Sequence, residues 1–141
     1  MRLDTVPALV HRPDEYRDFF QGYRAIRVID ELGRLRGELV WRLATGQTVE
    51  ITEIGVFEES DRRQGWGTRL LEAGLADMRA FFCDKPYPLR RVYLFCESIN
   101  EAGRAFYEHH GFLETAVVEG LYDSCDAILY VLDVARGPDS G

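Results

Sequence analysis

Runs of about eighteen apolar residues are missing from this 141-residue chain, and no basic-then-apolar leader is read at its start, so neither a membrane span nor a secretory signal is expected. Cysteine is scarce: Cys83, Cys96 and Cys125 are the only three, with no CxxC or Cys/His spacing among them. Neither a zinc site nor a disulfide framework is indicated, and unpaired cysteines fit a reducing cytoplasm. Positive charge is in deficit, with 17 Lys and Arg against 24 Asp and Glu and a net charge of −7. Non-specific nucleic-acid binding is therefore disfavoured. An acidic surface can attract cationic amines such as polyamines, lysine side chains or aminoglycosides, but it is also a common route to solubility. What is present is apolar material: 46 % hydrophobic residues over this length argue against disorder and suit a single domain, 1–141, with a real core. No internal repeat or linker stands out.

The most informative stretch is Arg62-Arg63-Gln64-Gly65-Trp66-Gly67. It follows Val49 to Phe57, a run rich in Val, Ile and Thr that reads as a buried strand. After it, Leu70, Leu71, Leu75, Met78, Phe81 and Phe82 fall at helical spacing with Arg69, Glu72, Asp77 and Arg79 between them. A helix that begins near Gly65 leaves its first N–H groups without intrahelical partners, and the aligned peptide dipoles place partial positive charge at the same end. An anion can dock there. Gly65 and Gly67 would let a phosphate approach the backbone, with Arg62 and Arg63 beside it. The competing reading of such a short pattern is a tight turn. A Walker motif is excluded because no Gly-Lys-Ser/Thr follows, and the dinucleotide fingerprint needs three glycines at another spacing.

A second constellation lies downstream. Arg91 to Cys96 reads as a strand, followed by Asn100-Glu101-Ala102-Gly103-Arg104-Ala105-Phe106-Tyr107 and then Gly111-Phe112. The strand, the RxxGxG turn with its helix, the second strand and this last segment together resemble the GNAT superfamily of N-acetyltransferases. The resemblance covers roughly residues 24 to 134.

The resemblance implies an α/β, GNAT-type acyl-CoA N-acyltransferase fold: a mixed, mostly antiparallel sheet with helices on both faces, splayed between the family's fourth and fifth strands to admit pantetheine. It implies acetyl-CoA as acyl donor and no metal. The turn from Arg62 through Arg63, Gln64, Gly65, Trp66 and Gly67 to Thr68 would hold the pyrophosphate, and Ile54, Gly55 and Val56 would contact the pantetheine arm. Asn100 matches the asparagine that touches pantetheine and starts the following helix, and Tyr107 matches the tyrosine that protonates the departing thiolate.

The reaction explains these residue types. An amine attacks a thioester as the free base, yet an alkylammonium has a pKa of about 10, so its proton must be taken or relayed. The oxyanion needs a donor, such as a strand N–H near Val56, and the leaving sulfur needs an acid. Glu50 and Glu53 are the base candidates. Strict period-2 alternation sets Glu50 on a face with Thr52, Ile54 and Val56, and Glu53 on the other with Ile51, Gly55 and Phe57, so the two are not expected to face the substrate together. Counted back from Val56, Glu50 falls where the histone-acetylating branch keeps its glutamate; Glu53 stands in reserve.

Each residue also has a plainer role. Glu50 would serve as a solvent-facing strand-end residue, Tyr107 as a half-buried helix tyrosine, and Asn100 as a helix cap that coexists with cofactor contact. The side chain of Trp66 covers the loop without chemistry. His109 and His110 precede Gly111 at the last helical turn, where cations and then glycine suit a helix end. Adjacent histidines do not share a helix face, so no metal site is read there.

The remaining chain reads as a short helix over Pro13 to Phe20, strands over Tyr23 to Asp30 and Glu38 to Leu43 joined through Glu31-Leu32-Gly33, and a final strand pair over Phe112 to Val118 and Ala127 to Val134. The tail Arg136 to Gly141 reads as loose. Two departures from the family stand out. The N-terminal part, 1–22, holds one short helix where two usually wall the acceptor site, which leaves that site open or completed by a partner. The connection Phe57 to Asp61 is about one residue longer than usual; its acids either line an amine entrance or form a solvated loop, the second being preferred. The expected function is acetyl transfer to a primary amine of a small molecule or a peptide. The alternative is a CoA-binding sensor or partner subunit without transferase activity. Loops and interfaces set the acceptor, and exposed edges of a short sheet allow a homodimer.

Overall fold

The structure, a computed structural model, describes residues 1–6 and 23–134. The helix expected over Pro13 to Phe20 and the tail from Arg136 lie outside the described residues. The chain divides into two compact units, Met1–Pro88 and Leu89–Gly141. Within the described residues they contain seven strands and two α-helices.

The first unit is a four-stranded antiparallel meander, β1 (Arg2–Val6), β2 (Arg24–Ile29), β3 (Leu35–Thr45) and β4 (Thr48–Val56), followed by a 3₁₀ turn at Glu59–Asp61 and helix α1 (Trp66–Phe82). β1 has no counterpart in the sequence reading. Five residues ending before Pro7 carry too little periodicity to declare a strand, and pairing with β2, Leu3 opposite Val28 and Thr5 opposite Ile26, is what makes it one. The hairpin between β2 and β3 falls where Gly33 predicts it. The Asp30 carboxylate accepts from the backbone N–H groups of Leu32 and Arg34, both at 2.9 Å, and from Arg34 Nε at 2.9 Å. Those bonds, the backbone of Arg34 foremost, hold the Asp30 carboxyl down to about 2.

One face of the meander carries Ile26, Val28, Leu39, Trp41, Val49 and Ile51, all nearly inaccessible. Helix α1 covers β2, β3 and β4 and buries Leu70, Leu71, Met78 and Phe82. Burial of such side chains contributes roughly 2 kcal/mol each before entropy is counted. Phe81 meets Trp41 edge-on at 5.6 Å. The helix ends after Phe82 as the backbone tightens, Cys83 N–H to Ala80 O and Lys85 N–H to Phe82 O, and Pro86 cannot continue it.

Asp77, a polar position of α1, turns inward. Its carboxylate accepts from Arg24 at 2.8 and 3.0 Å and from Trp41 Nε1 at 3.0 Å. Trp41 is fully buried, so its N–H has no route to water. Asp77→Ala is expected to cost about 2 to 3 kcal/mol in urea unfolding by removing that acceptor. Asp77→Asn, which keeps an oxygen in place, should lose clearly less.

The second unit holds β5 (Arg91–Glu97), α2 (Glu101–His109), β6 (Leu113–Val118) and β7 (Ala127–Asp133). β7 pairs antiparallel with both β5 and β6. Val92, Leu94 and Cys96 of β5 are buried beside Ile128 and Tyr130 of β7, and every residue of β6 is exposed. Helix α2 starts and stops where its cap residues predict: the Asn100 side chain accepts from Gly103 N–H at 3.0 Å, and Gly111 follows the last turn with a φ of 89°. No helix among the described residues is long and apolar enough to cross a membrane.

Candidate active site

In the first unit, the strand end and the turn after it form one structure. β4 runs out at Val56, whose carbonyl accepts from Arg62 Nε at 3.2 Å, so the Arg62 side chain folds back to the end of that strand. Gln64 Nε2 donates to Ser60 O at 2.7 Å and steadies the same loop. Arg63 and Gly65 both lie in the left-handed region, at φ 63° and 83°. For Gly65 this conformation is free of strain, whereas Arg63 holds it against the usual preference. Backbone of this kind turns successive N–H groups toward one point.

Gly65 is also the residue that opens α1, and no side chain caps the helix there. The first intrahelical bond is Arg69 N–H to Gly65 O at 3.0 Å. The amides of Trp66, Gly67 and Thr68 therefore sit at the electropositive end of a 17-residue helix. Trp66 is buried, with the Arg69 guanidinium 4.1 Å from its ring, so its side chain serves packing and only its backbone belongs to the turn.

The loop Phe57 to Asp61 is partly a structural strut. Glu58, Glu59 and Ser60 are exposed, but Asp61 is buried and accepts from Arg36 at 2.7 and 2.8 Å. The reading of its acids as solvated holds for Glu58 and Glu59 and fails for Asp61, because the Arg36 fork of β3 draws that carboxylate in.

The strict alternation expected along β4 is wrong. Trp41 of β3 lies opposite Ile51 and Val40 opposite Glu53, so Thr52 is an extra residue, a β-bulge, and its hydroxyl donates to Val40 O at 3.3 Å. The bulge resets the faces. Glu50, opposite Arg42, and Glu53, opposite Val40, both lie on the face away from Trp41 and α1. The two glutamates differ in their partners. Glu50 is bound by Arg42 at 2.7 and 2.8 Å. Glu53 is exposed and lies diagonal to Glu38 of β3, which stands opposite Gly55. Glu38 was not singled out by the sequence, and nothing in its spacing marks it: only strand register brings it to Glu53.

In the second unit, Asn100 and Tyr107 lie on one helix two turns apart, about 10 Å along its axis and on the same side. Asn100 spends its side-chain oxygen on the cap. Tyr107 packs against Phe106, Phe112 and Tyr130, with ring centroids 5.5 to 5.9 Å apart. Burial first, and then the neighbouring Cys96 and Tyr122, push its phenol up to about 12. Such a phenol stays protonated through the neutral range and is always a donor.

A strand that ends in a left-handed, uncapped helix start, and a second strand leading to an Asn-capped helix with a half-buried tyrosine, both lie in the stretch that a known family's profile covers. The profile of the acetyltransferase (GNAT) family matches residues 5–112, and the chain belongs to this family. Its α/β fold is the GNAT fold, and members of the family are acetyl-CoA-dependent N-acetyltransferases. Among solved structures the chain is similar to Ard1 from Thermoplasma volcanium, at 26 % identity over 79 % of this chain and 70 % of that one, with a TM-score of 0.67. It is also similar to a putative GNAT-family acetyltransferase from Desulfovibrio desulfuricans, at 25 % identity over 80 % and 70 % of the two chains and a TM-score of 0.68. A GNAT-family acetyltransferase from Elizabethkingia anophelis, solved with acetyl-CoA bound, shares the fold at 17 % identity, 79 % and 76 % coverage and a TM-score of 0.68. A search of curated proteins finds no match.

Proposed function

We propose that this chain transfers an acetyl group from acetyl-CoA to a primary amine of a small molecule or a peptide, by direct attack of the amine on the thioester. The observation that carries the proposal is the uncapped start of α1, where Arg63 and Gly65 take left-handed backbone directly after β4. That turn suits a pyrophosphate: amide donors, helix dipole and the Arg62 and Arg63 charges converge on one anion site. Ile54 to Val56 would take the pantetheine arm as an added strand takes its neighbour. The backbone near Val56 would donate to the oxyanion, and Asn100 would touch pantetheine while capping α2.

Tyr107 supplies the donor for the departing sulfur. A phenol at about 12 is a weaker acid than a thiol near 8.5, so its part is to hydrogen-bond the developing thiolate rather than to lose its proton outright. The family match spans both units, from 5 to 112, which supports treating the chain as one catalytic domain. Glu53 is the better-placed base, because Glu50 is engaged by Arg42.

Isothermal titration with acetyl-CoA tests the donor half. Thiol release in the same preparation, over spermidine, L-lysine, kanamycin and a short peptide with a free N-terminus, tests the transfer. Amine-dependent release is the expected result. Binding without release from any amine would replace the proposal with a CoA-binding sensor, and absence of binding would overturn both.

A further inference from the structure

We infer that Arg36 of β3 is a positioning residue for the cofactor: by anchoring Asp61 it fixes the left-handed turn at Arg63 and Gly65 in the conformation that receives the pyrophosphate. The inference rests on the reading of that turn as the pyrophosphate site and adds to it two residues, Arg36 and Asp61, that lie outside the RxxGxG pattern.

The β3–β4 ladder ends where Phe57 N–H donates to Arg36 O at 2.9 Å, and from there the chain leaves the sheet. The 3₁₀ turn follows, closed by Asp61 N–H to Glu58 O at 3.0 Å and Arg62 N–H to Glu59 O at 3.1 Å. Arg62 is then extended, at φ −73° and ψ 159°, and Arg63 comes next at φ 63°. A non-glycine residue holds that left-handed conformation only where its surroundings impose it. The bonds from Arg62 to Val56 O and from Gln64 to Ser60 O are made at exposed positions, where water competes for both partners. The bond at Asp61 is different in kind. Arg36 Nε and Nη2 both donate to one carboxylate oxygen, at 2.8 and 2.7 Å, and the Asp61 side chain is only 12 % exposed.

The anchor is itself held from behind. Arg36 Nη1 reaches the Asp30 carboxylate at 3.3 Å, and Asp30 is fixed by the N–H groups of Leu32 and Arg34 in the β2–β3 hairpin. One line of hydrogen bonds thus runs from that hairpin through Asp30 and Arg36 to the residue before Arg62. Asp30, Arg36 and Asp61 line a cavity of about 350 Å³ together with Met1, Glu31, Leu32 and Arg34. Close packing on that side is therefore not what draws Asp61 inward; the charge-assisted bonds do so. Since Arg34 also pairs with Asp30, two arginines offset two aspartates, and the network brings no net charge to the phosphates. Its contribution is geometric, and it keeps Asp61 from presenting an unmatched carboxylate beside an anion site.

The test is isothermal titration of the whole chain with acetyl-CoA, in the parent, Asp61→Asn, Arg36→Gln and the double variant. Each single variant is expected to weaken binding by about tenfold, and the double variant no more than Arg36→Gln alone, because all three remove one shared bond. At saturating acetyl-CoA, kcat with the amine the parent turns over fastest is expected to stay within about twofold, because the pyrophosphate is remote from the thioester. A chain that had merely lost stability would instead bind at lower stoichiometry with the parent's Kd, and its kcat would fall. Arg36→Lys keeps the charge without the fork, so it should recover part of the lost affinity, and it carries the test if the neutral variants do not fold. Parental acetyl-CoA affinity in Asp61→Asn, or single losses that simply add in the double variant, overturns the inference. The reading beneath it fails separately: unchanged affinity in Arg62→Ala combined with Gly65→Glu removes the turn from cofactor binding, and this inference with it.

Discussion

Arg62→Ala combined with Gly65→Glu is expected to weaken acetyl-CoA binding by about a hundredfold or more, roughly 3 kcal/mol, in isothermal titration. Two separable effects add. Arg62 loses both its charge and the Nε–H bond to Val56 O that folds it over the end of β4. Gly65 sits at φ 83°, where a side chain costs roughly 1 to 2 kcal/mol of backbone strain, and a carboxylate there faces the phosphates it replaces as the occupant of the helix start. Space is not the obstacle, because a Cβ at Gly65 would meet nothing within 4 Å. Gly65→Ala isolates the strain and should cost affinity by much less. Unchanged affinity in the double variant, with the fold intact by circular dichroism, would remove the turn from cofactor binding.

Tyr107→Phe is expected to lower kcat by about a hundredfold while leaving acetyl-CoA affinity nearly unchanged. The ring contacts with Phe106, Phe112 and Tyr130 survive the change, and only the hydroxyl is lost. Because the phenol is pushed up to about 12, its ionisation places no alkaline limb in the parent's profile below about pH 10. An alkaline limb in that range that vanishes in Tyr107→Phe would show a more acidic phenol and a true proton transfer. A rate equal to the parent's would take Tyr107 out of the mechanism.

Much of the fold was legible because local chemistry and tertiary structure agree in it. The helix over Trp66 to Phe82 follows from its apolar spacing, and α2 from Asn100 at one end and Gly111 at the other. The strands of the β2–β3 hairpin and the β6–β7 pair fall within a few residues of their patterned runs. β1 was not legible, since its strand character comes from β2 and not from its own five residues. The same holds for Asp77 and Asp61, which looked like surface acids. Arg24 with Trp41, and Arg36, draw them inward from strands 25 or more positions away in sequence.

The sequence by itself determined the family, the turn that suits a pyrophosphate and the tyrosine on α2, because each is carried by residues adjacent in the chain or within two helical turns of one another. Tertiary structure alone decided which glutamates share a face and with whom they pair. A single extra residue at Thr52 inverts the alternation of a strand, and whether a strand bulges depends on the neighbour it must stay in register with, a partner that a one-dimensional pattern does not contain.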